Sequence, residues 1–182
     1  MIVIEDTTIQ RANYFVTRWH RHSNIVPAVQ SRFAYEMVEI LPALKFRHTV
    51  GVAIVGNPCG RPNDPRIIEL RRVAFKPKQD FGHYRRYYPK KSEQHSISLR
   101  KIPVLINMQN FKSGIVVNAH EIPSTFVGVA SKIVKQRLPK MHTIWTYIHS
   151  TEKGRYLEKA GYYCNYFFKR RGVEKKRYEL TI

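Results

Sequence analysis

The stretch from Thr49 to Gly56, TVGVAIVG, constrains the fold more than any other part of this chain. It is continuously apolar and rich in β-branched residues, which is typical of a central strand buried on both faces. A turn dense in Asn, Pro and Gly, NPCGRPNDP, follows it, and a second strand pattern, RIIELRRVAF, follows the turn. The sequence therefore predicts a sheet with helices over its faces.

The chain before this strand reads as strand, helix, strand. MIVIE is a short strand pattern, and Thr7 or Thr8 can cap the helix that follows. The apolar residues of this helix recur at spacings of three and four; they are Ile9, Ala12, Phe15, Val16 and Trp19. We expect it to end between residues 20 and 24, before RFAYEMVEI forms the next strand.

The chain after residue 121 alternates helices and strands. IPSTFVGVASKIVKQRLP has helical spacing and ends at Pro139, HTIWTYIHS is a strand, and TEKGRYLEKAGY is a short helix with Gly161 as its stop signal. YCNYFFKRR and KKRYELTI predict a closing hairpin about Gly172. The fold class is therefore α/β or α+β, in one domain over residues 1–182, with a long basic insertion at about 76–121 in which LRKIPVLINM and IVVNA supply short strands or a helix.

The charge of the chain favours a polyanionic partner. Its 182 residues include 32 Lys and Arg against 13 Asp and Glu, a formal net charge of +19. Basic side chains that neutralise phosphates release condensed counterions, so nucleic acid is the favoured partner over a charge that serves solubility alone. The two cysteines form no metal-finger spacing, no apolar run reaches the ~18 residues of a membrane helix, and MIVIEDTTIQ is no signal peptide. We expect a cytoplasmic protein without membrane contact.

Two basic segments have the composition of a nucleic-acid surface. HYRRYYPKK, in the insertion, mixes rings that stack on bases with cations that contact phosphates. KRRGVEKKR adds a second cluster at the hairpin turn. The alternative for both is a solvated surface. The predicted nucleic-acid contacts are Arg21, Tyr84, Arg85, Arg86, Tyr87, Lys90, Lys91, Arg170 and Arg171.

The segment WHRH, Trp19 to His22, places two histidines two residues apart at the end of the first helix. On a helix their side chains point about 200° apart, so they converge only where the backbone is already extended. Two histidines alone do not complete a metal site, and Glu69 could be a third ligand or a base. The alternative is that Trp19 lies in the core and both histidines lie on the surface.

A third candidate is the start of the helix from Ile122. The free N–H groups of a helix N-terminus suit a phosphate, although every helix has such a terminus and a plain capped helix is the alternative.

Five segments together resemble the GNAT (GCN5-related N-acetyltransferase-like) superfamily. They are WHRH, GVAIVGNPCGRP, IIELRRVAF, PSTFVGVASKIV and WTYIHSTEKGRYLEKAGY, and the resemblance covers most of residues 12–75 and 122–163. The EKAGY segment is a general GNAT signature. WHRH with VGVAIVG resembles a branch common in phages that neighbours the Mom proteins, which modify N6 of adenine in DNA and would serve anti-restriction.

The resemblance implies a mixed sheet that is splayed between the strands at 67–75 and 142–149. Acetyl-CoA would enter this splay, with its pyrophosphate at the start of the helix from Ile122. The implied cofactor-binding residues are Val73, Phe75, Ser124, Thr125 and Phe126. NAHEIPST, at the position of the usual pyrophosphate loop, lacks the glycines of that loop.

The resemblance also implies an acceptor pocket and its catalytic residues, which are His20, His22, Glu69, Arg72 and Tyr156, with Tyr147 as a further candidate. Mom-type chemistry has been linked to iron, which would suit His20 and His22 as ligands. The partner would be double-stranded DNA with its target base flipped, in the cytoplasm of the host if the chain is phage-encoded.

Two other functions stay open from the sequence. One is a GNAT N-acetyltransferase acting on aminoacyl-tRNA, a protein lysine or a small amine. The other is a non-catalytic nucleic-acid-binding protein on a GNAT fold, which the missing glycines favour. The oligomeric state is open too, a homodimer included.

Overall fold

The structure, a computed structural model, describes residues 1–20, 25–41, 46–60, 62–76, 101–108, 111–118, 121–170 and 172–182. Within these ranges the chain forms one nine-stranded mixed sheet and three α-helices. The strands are β1 (Ile2–Thr7), β2 (Ser31–Leu41), β3 (Phe46–Gly56), β4 (Ile67–Phe75), β5 (Lys101–Met108), β6 (Phe111–Asn118), β7 (Thr143–His149), β8 (Tyr163–Arg170) and β9 (Val173–Thr181). The helices are α1 (Ile9–Trp19), α2 (Ile122–Arg137) and α3 (Arg155–Lys159), and a 3-10 turn covers Ala28–Gln30.

The strand order in the sheet is β6-β5-β1-β2-β3-β4-β7-β9-β8. β3 lies in the middle of this order and contains TVGVAIVG. Val52, Ala53, Ile54 and Val55 are all fully buried, which confirms the prediction of a central strand covered on both faces. Val52 and Ile54 pack in the cluster under α1, whereas Ala53 and Val55 pack in the cluster under α2.

Helix α1 begins and ends as its sequence predicts. Thr8 is the N-cap, and its hydroxyl accepts a hydrogen bond from the backbone N–H of Arg11 at 3.1 Å. Such a cap satisfies one of the four N–H groups that a helix start leaves without an intrahelical partner. The helix ends at Trp19, and His20 already has extended backbone angles, φ −89° and ψ 130°.

Helix α2 covers the other face through its aromatic residue Phe126, which is fully buried. Its ring meets Tyr35 of β2 and Phe75 of β4 edge-on, at centroid distances of 4.9 Å and 5.6 Å. These edge-to-face contacts fix the start of the helix against β4, so the core packing places the helix N-terminus beside that strand.

The predicted insertion contributes two strands to the sheet. β5 pairs with β1 in parallel, and β6 pairs with β5 as an antiparallel hairpin. Of the two alternatives for this segment, short strands or a helix, the structure has strands over residues 101–108 and 111–118. They extend the sheet beyond β1, and β1, β2 and β3 separate them from β4. Residues 77–100 lie outside the described ranges.

No helix in the described ranges is long and apolar enough to cross a membrane.

Candidate active site

The site lies where β4 and β7 separate. These parallel neighbours pair only between Ile67–Glu69 and Thr143–Trp145, although both strands continue beyond that point. Thr146 of β7 donates its hydroxyl to the carbonyl of Leu70 at 2.9 Å, at the point where the pairing ends. The expected splay of the sheet is therefore present, and it exposes one side of the β4 backbone from residue 71 onward.

Two adjoining cavities occupy this opening. The first, of about 420 Å³, contains the residues that the resemblance assigns to an acceptor pocket, and for that reason we call it the acceptor cavity. Its wall includes His20, Cys59, Glu69, Arg71, Arg72, Tyr147, Phe168 and Lys175. The second, of about 720 Å³, we call the cleft; its wall includes Phe75, Pro123, Ser124, Lys153, Gly154, Arg155 and Lys159. Both are lined by His20, Val73, Glu152 and Tyr156. A molecule in the cleft can therefore meet one in the acceptor cavity at Tyr156.

Glu69 is the buried acid of the acceptor cavity, with 2% of its surface exposed. Its Oε2 accepts a hydrogen bond from the backbone N–H of Cys59 at 2.5 Å, and its Oε1 lies 3.5 Å from the Cys59 thiol. Burial raises the pKa of the Glu69 carboxyl, and the Cys59 N–H and the neighbouring arginines only partly oppose the shift. A carboxylate whose pKa is raised by burial suits a general base.

Cys59 was not predicted as a site residue. Partial burial and the Glu69 carboxylate raise the pKa of its thiol, so the thiol stays protonated beside Glu69. The residue belongs to the turn that the NPCGRP pattern predicts, and Gly56 at the end of β3 pairs with Glu69 of β4. The sequence could have indicated Cys59 through this turn, because a turn that links two neighbouring strands must return the chain close to Glu69.

Two arginines that follow Glu69 have different environments. Arg71, also missed from sequence, is 8% exposed and donates to the Asn57 carbonyl at 2.6 Å and to Gln30 Oε1 at 2.7 Å. Arg72 donates to the Arg71 carbonyl at 2.6 Å, and burial lowers the pKa of its guanidinium. Both arginines line the acceptor cavity, Arg71 held by two hydrogen bonds to its neighbours and Arg72 beside Glu69 with its guanidinium bonded to the backbone.

Two tyrosines face the cavities in their neutral form. Tyr156 of α3 lies edge-on to Phe75, with ring centroids 6.3 Å apart. Burial, followed by Glu152 and Tyr178, raises the pKa of Tyr156 well above its ordinary value. Burial also raises the pKa of Tyr147 to about 12. Tyr156 therefore keeps its proton and can donate it to an anion formed at the junction of the two cavities.

The start of α2 forms part of the cleft through Pro123 and Ser124. The Ser124 hydroxyl donates to the carbonyl of Glu121 at 2.8 Å, so the side chain is engaged in the helix turn. Thr125 is half-buried, and Phe126 has its ring in the core, so the predicted role of Phe126 in holding a cofactor is structural: its packing places the start of the helix. The predicted Val73 and Phe75 both line the cleft.

His20, which the resemblance assigns to the acceptor pocket, lines both cavities. Arg21 and His22 lie outside the described residues, so the predicted convergence of the two histidines stays a prediction. Within the part of the chain that the structure describes, no group of three or more His, Cys, Asp or Glu side chains has the arrangement of a metal site. The structure thus supplies no ligand set for the expected iron.

Most of the predicted nucleic-acid contacts also lie outside the described residues; these are Tyr84, Arg85, Arg86, Tyr87, Lys90, Lys91 and Arg171. Arg170 is placed only by its backbone, at the end of β8. The hairpin itself is confirmed, since β8 and β9 pair across a turn in which Gly172 has a φ of +79°.

Comparisons with known proteins identify the fold. No protein-family model and no curated protein matches the sequence. Among solved structures, a protein assigned to the GNAT acetyltransferase family from Desulfovibrio desulfuricans matches 100% of this chain and 99% of its own, with a TM-score of 0.52 and 14% identity. Aminoglycoside acetyltransferase AAC(6')-Ib in complex with coenzyme A matches 100% of this chain and 95% of its own, with a TM-score of 0.53 and 11% identity.

A third solved structure is ribosomal-protein-S18-alanine N-acetyltransferase from Escherichia coli, with a TM-score of 0.52 and 10% identity over 100% of this chain and 94% of its own. These likenesses confirm the predicted fold class, since the chain has the GNAT fold over its full length. At identities this low they show the fold alone.

Proposed function

We propose that this protein is a GNAT-type acyltransferase that moves the acetyl group of acetyl-CoA onto the exocyclic amine of a nucleobase in DNA, as the Mom proteins modify N6 of adenine. The observation that carries the proposal is the joined pair of cavities, because one end of the opening holds a buried base, Glu69, and the shared wall holds a proton donor, Tyr156.

The cleft fits acetyl-CoA by its chemistry. Backbone groups of β4 that face the opening beyond residue 70 have no partner strand among the described residues, so amide groups of a ligand can satisfy them. Lys153, Arg155 and Lys159 line the same cleft and would contact a diphosphate, together with the free N–H groups at the start of α2. In the structural neighbour AAC(6')-Ib the bound molecule is coenzyme A. Bound acetyl-CoA supplies an activated thioester.

The residues of the junction can then move two protons. Glu69 accepts a proton from the acceptor amine as the new C–N bond forms, and the C–S bond of the thioester breaks. Tyr156 donates its phenolic proton to the departing sulfur. Arg72 lies on the acceptor side, where its charge holds an acceptor or the oxygen on which negative charge develops.

The net charge of the chain favours DNA as the acceptor. A net charge of +19 repels polycationic amines such as aminoglycosides and attracts DNA. A base inside a duplex must leave the stack before its amine can reach Glu69, which costs a few kcal/mol. A cavity of about 420 Å³ is large enough for one planar base and positions it beside that carboxylate.

The test is nucleoside mass spectrometry on DNA from cells that express the protein, beside cells that express Glu69→Gln. The proposal predicts an added acetyl mass on a deoxynucleoside that is absent with the variant. Unmodified DNA together with modified tRNA would refute the DNA acceptor and establish a tRNA one. Unmodified nucleic acid and no binding of acetyl-CoA in calorimetry would refute catalysis and leave a nucleic-acid-binding protein.

A further inference from the structure

Five aromatic residues, two of them exposed and three half-buried, lie on the sheet beside the acceptor cavity. Strand register places three rows of side chains across β7, β9 and β8 on one face. The rows are Trp145, Glu179 and Tyr163; then Tyr147, Arg177 and Tyr166; then His149, Lys175 and Phe168. We call the five rings of these rows, Trp145, Tyr147, Tyr163, Tyr166 and Phe168, the aromatic face.

Arg177 joins the rings of this face. Its guanidinium carbon lies 4.2 Å from the ring centroid of Trp145 and 5.3 Å from that of Tyr166, and its Nε donates to Asn165 at 3.0 Å. The rings of Tyr166 and Phe168 lie nearly parallel, 18° apart with centroids at 5.9 Å. Phe168 in turn lies edge-on to Tyr147 at 5.5 Å.

Glu179 holds the polar atoms at the other end of the aromatic face. It accepts hydrogen bonds from the indole N–H of Trp145 at 3.0 Å and from the hydroxyl of Tyr163 at 3.1 Å. The rings are thereby held in position, so a ligand that stacks on them meets a surface that is already ordered.

Two rings of the aromatic face are exposed, and two others line the acceptor cavity. Tyr163 and Tyr166 are 51% and 53% exposed. Among the described helices, α1 packs on β2, β3 and β4, while α2 and α3 lie on the opposite face with Tyr178 and Leu157. Tyr147 and Phe168 belong both to this face and to the wall of the acceptor cavity. A chain of nucleotides lying across the rings would therefore reach Glu69.

We propose that the aromatic face binds unpaired nucleotides, with bases stacked on its rings and phosphates at Arg177 and Lys175. The inference rests on the proposed function, because a base that has left its duplex must be held outside it while the amine reacts. Rings interleaved with cations are the composition that binds single strands, and a duplex offers few free base faces for stacking. A second copy of this chain is a poorer occupant, since it would bring two chains of net charge +19 together.

Fluorescence tests the contact directly, because the chain has two tryptophans. In a Trp19→Phe protein, Trp145 is the remaining emitter. Titration with a twelve-residue oligothymidylate at fixed salt should quench it and saturate, whereas a matched duplex should quench it far less. Equal quenching by the duplex would overturn the preference for unpaired bases.

Variants on the two faces of β8 test the surface. Tyr166→Leu removes a stacking ring and should weaken oligothymidylate binding roughly 5- to 150-fold by anisotropy, and Tyr166→Phe should restore most of it. Phe167→Leu is the matched control, since Phe167 is 65% exposed on the opposite face of the same strand and its change should leave the affinity within about twofold. Equal losses at the two positions would overturn the proposal.

The failures of the two proposals are distinguishable. Modified DNA with an unchanged KM in Tyr166→Leu would refute the aromatic face and leave the acyltransferase intact. Saturable binding on this face with no modified nucleoside would refute the acyltransferase and leave the binding surface. Light scattering compares the mass of the wild-type particle with that of Tyr166→Leu. A wild-type dimer that becomes a monomer in the variant, with the oligonucleotide affinity unchanged, would show that the face binds a second copy and overturn the inference.

Discussion

Replacement of Glu69 by glutamine is the sharpest perturbation of the proposed site. Glutamine keeps the volume of the side chain, and its amide oxygen can still accept the hydrogen bond that Cys59 N–H makes at 2.5 Å. The change therefore removes the ability to take up a proton and leaves the packing of β4 in place. A lost general base lowers the rate about 10²- to 10⁴-fold, which corresponds to about 2.7 to 5.4 kcal/mol of transition-state stabilisation.

The assay is release of free CoA thiol during turnover on unmodified DNA as the acceptor substrate. We expect kcat to fall by that factor in Glu69→Gln, with acetyl-CoA affinity by calorimetry unchanged, because Glu69 lines the acceptor cavity and not the cleft. The wild-type kcat/KM should rise with pH through a pKa above that of an ordinary glutamate, since burial raises it. This acidic limb should be missing from the residual activity of the variant.

The pH dependence of the free energy of unfolding tests the raised pKa of Glu69 independently of activity. A buried glutamate with a raised pKa holds its proton in the folded state over a pH range where the unfolded chain has lost it. The free energy of unfolding therefore falls as pH rises from the ordinary glutamate pKa through the raised one, and Glu69→Gln should remove that fall and be the more stable protein at neutral pH. Urea unfolding at pH 4 to 8 measures it.

Glu36→Gln is the matched control. Glu36 is also buried, at 3% exposure, but it lies on β2, which β3 separates from β4. It accepts a hydrogen bond from the Thr49 hydroxyl and is an ion-pair partner of Arg11. Its replacement should lower stability and leave kcat unchanged. A Glu69→Gln protein with wild-type kcat, or a loss of kcat that Glu36→Gln matches, would refute the assignment of Glu69 as the base.

Four further changes separate the site from the scaffold. Tyr156→Phe should lower kcat about 10²-fold or more with the urea midpoint nearly unchanged, and wild-type activity should persist at alkaline pH because the pKa of Tyr156 is raised; a wild-type rate in the variant would remove its role. Gly154→Ala should destabilise the fold by about 2 kcal/mol or more in urea, since φ is +66° and the new Cβ would lie 2.3 Å from the Tyr178 hydroxyl. Gly172→Ala, with φ +79° and open space around it, should cost only the ~1 kcal/mol of backbone strain, so equal losses would contradict the steric argument. Phe126→Ala should cost about 3–5 kcal/mol, and a loss below 1 kcal/mol would contradict its place in the core.

Local patterns predicted the elements of this fold because they depend on neighbours in sequence. The β-branched run in β3 and the spacing of Ala12 and Phe15 in α1 each specify a period and a buried face. The Thr8 cap follows from the same local physics, since a hydroxyl reaches an N–H three residues on. These predictions needed no knowledge of which strand lies next to which.

The arrangement of the strands depends on contacts between residues far apart in sequence, and local patterns do not specify it. β5 lies beside β1, about a hundred residues earlier in the chain, and its alternation of exposed and buried residues indicates a strand without naming its neighbour. Likewise the aromatic face consists of residues from three strands. Tyr147 and Tyr166 come together only because both are in register with Arg177 of β9.

The placement of Glu69 and Arg72 shows most clearly why alternation alone could not give the site. In a regular strand, residues three apart point to opposite faces, so Arg72 would share the α2 face with Leu70. The pairing of β4 with β3 shifts at this point, since Val55 pairs with Leu70 and Ile54 pairs with Arg72, which leaves Arg71 as an extra residue. The bulge turns Arg72 to the face of Ile54, which is the face of Glu69, and the two hydrogen bonds of Arg71 to Asn57 and Gln30 hold it in place. A single extra residue therefore places Glu69 and Arg72 on the same face of β4, where both line the acceptor cavity.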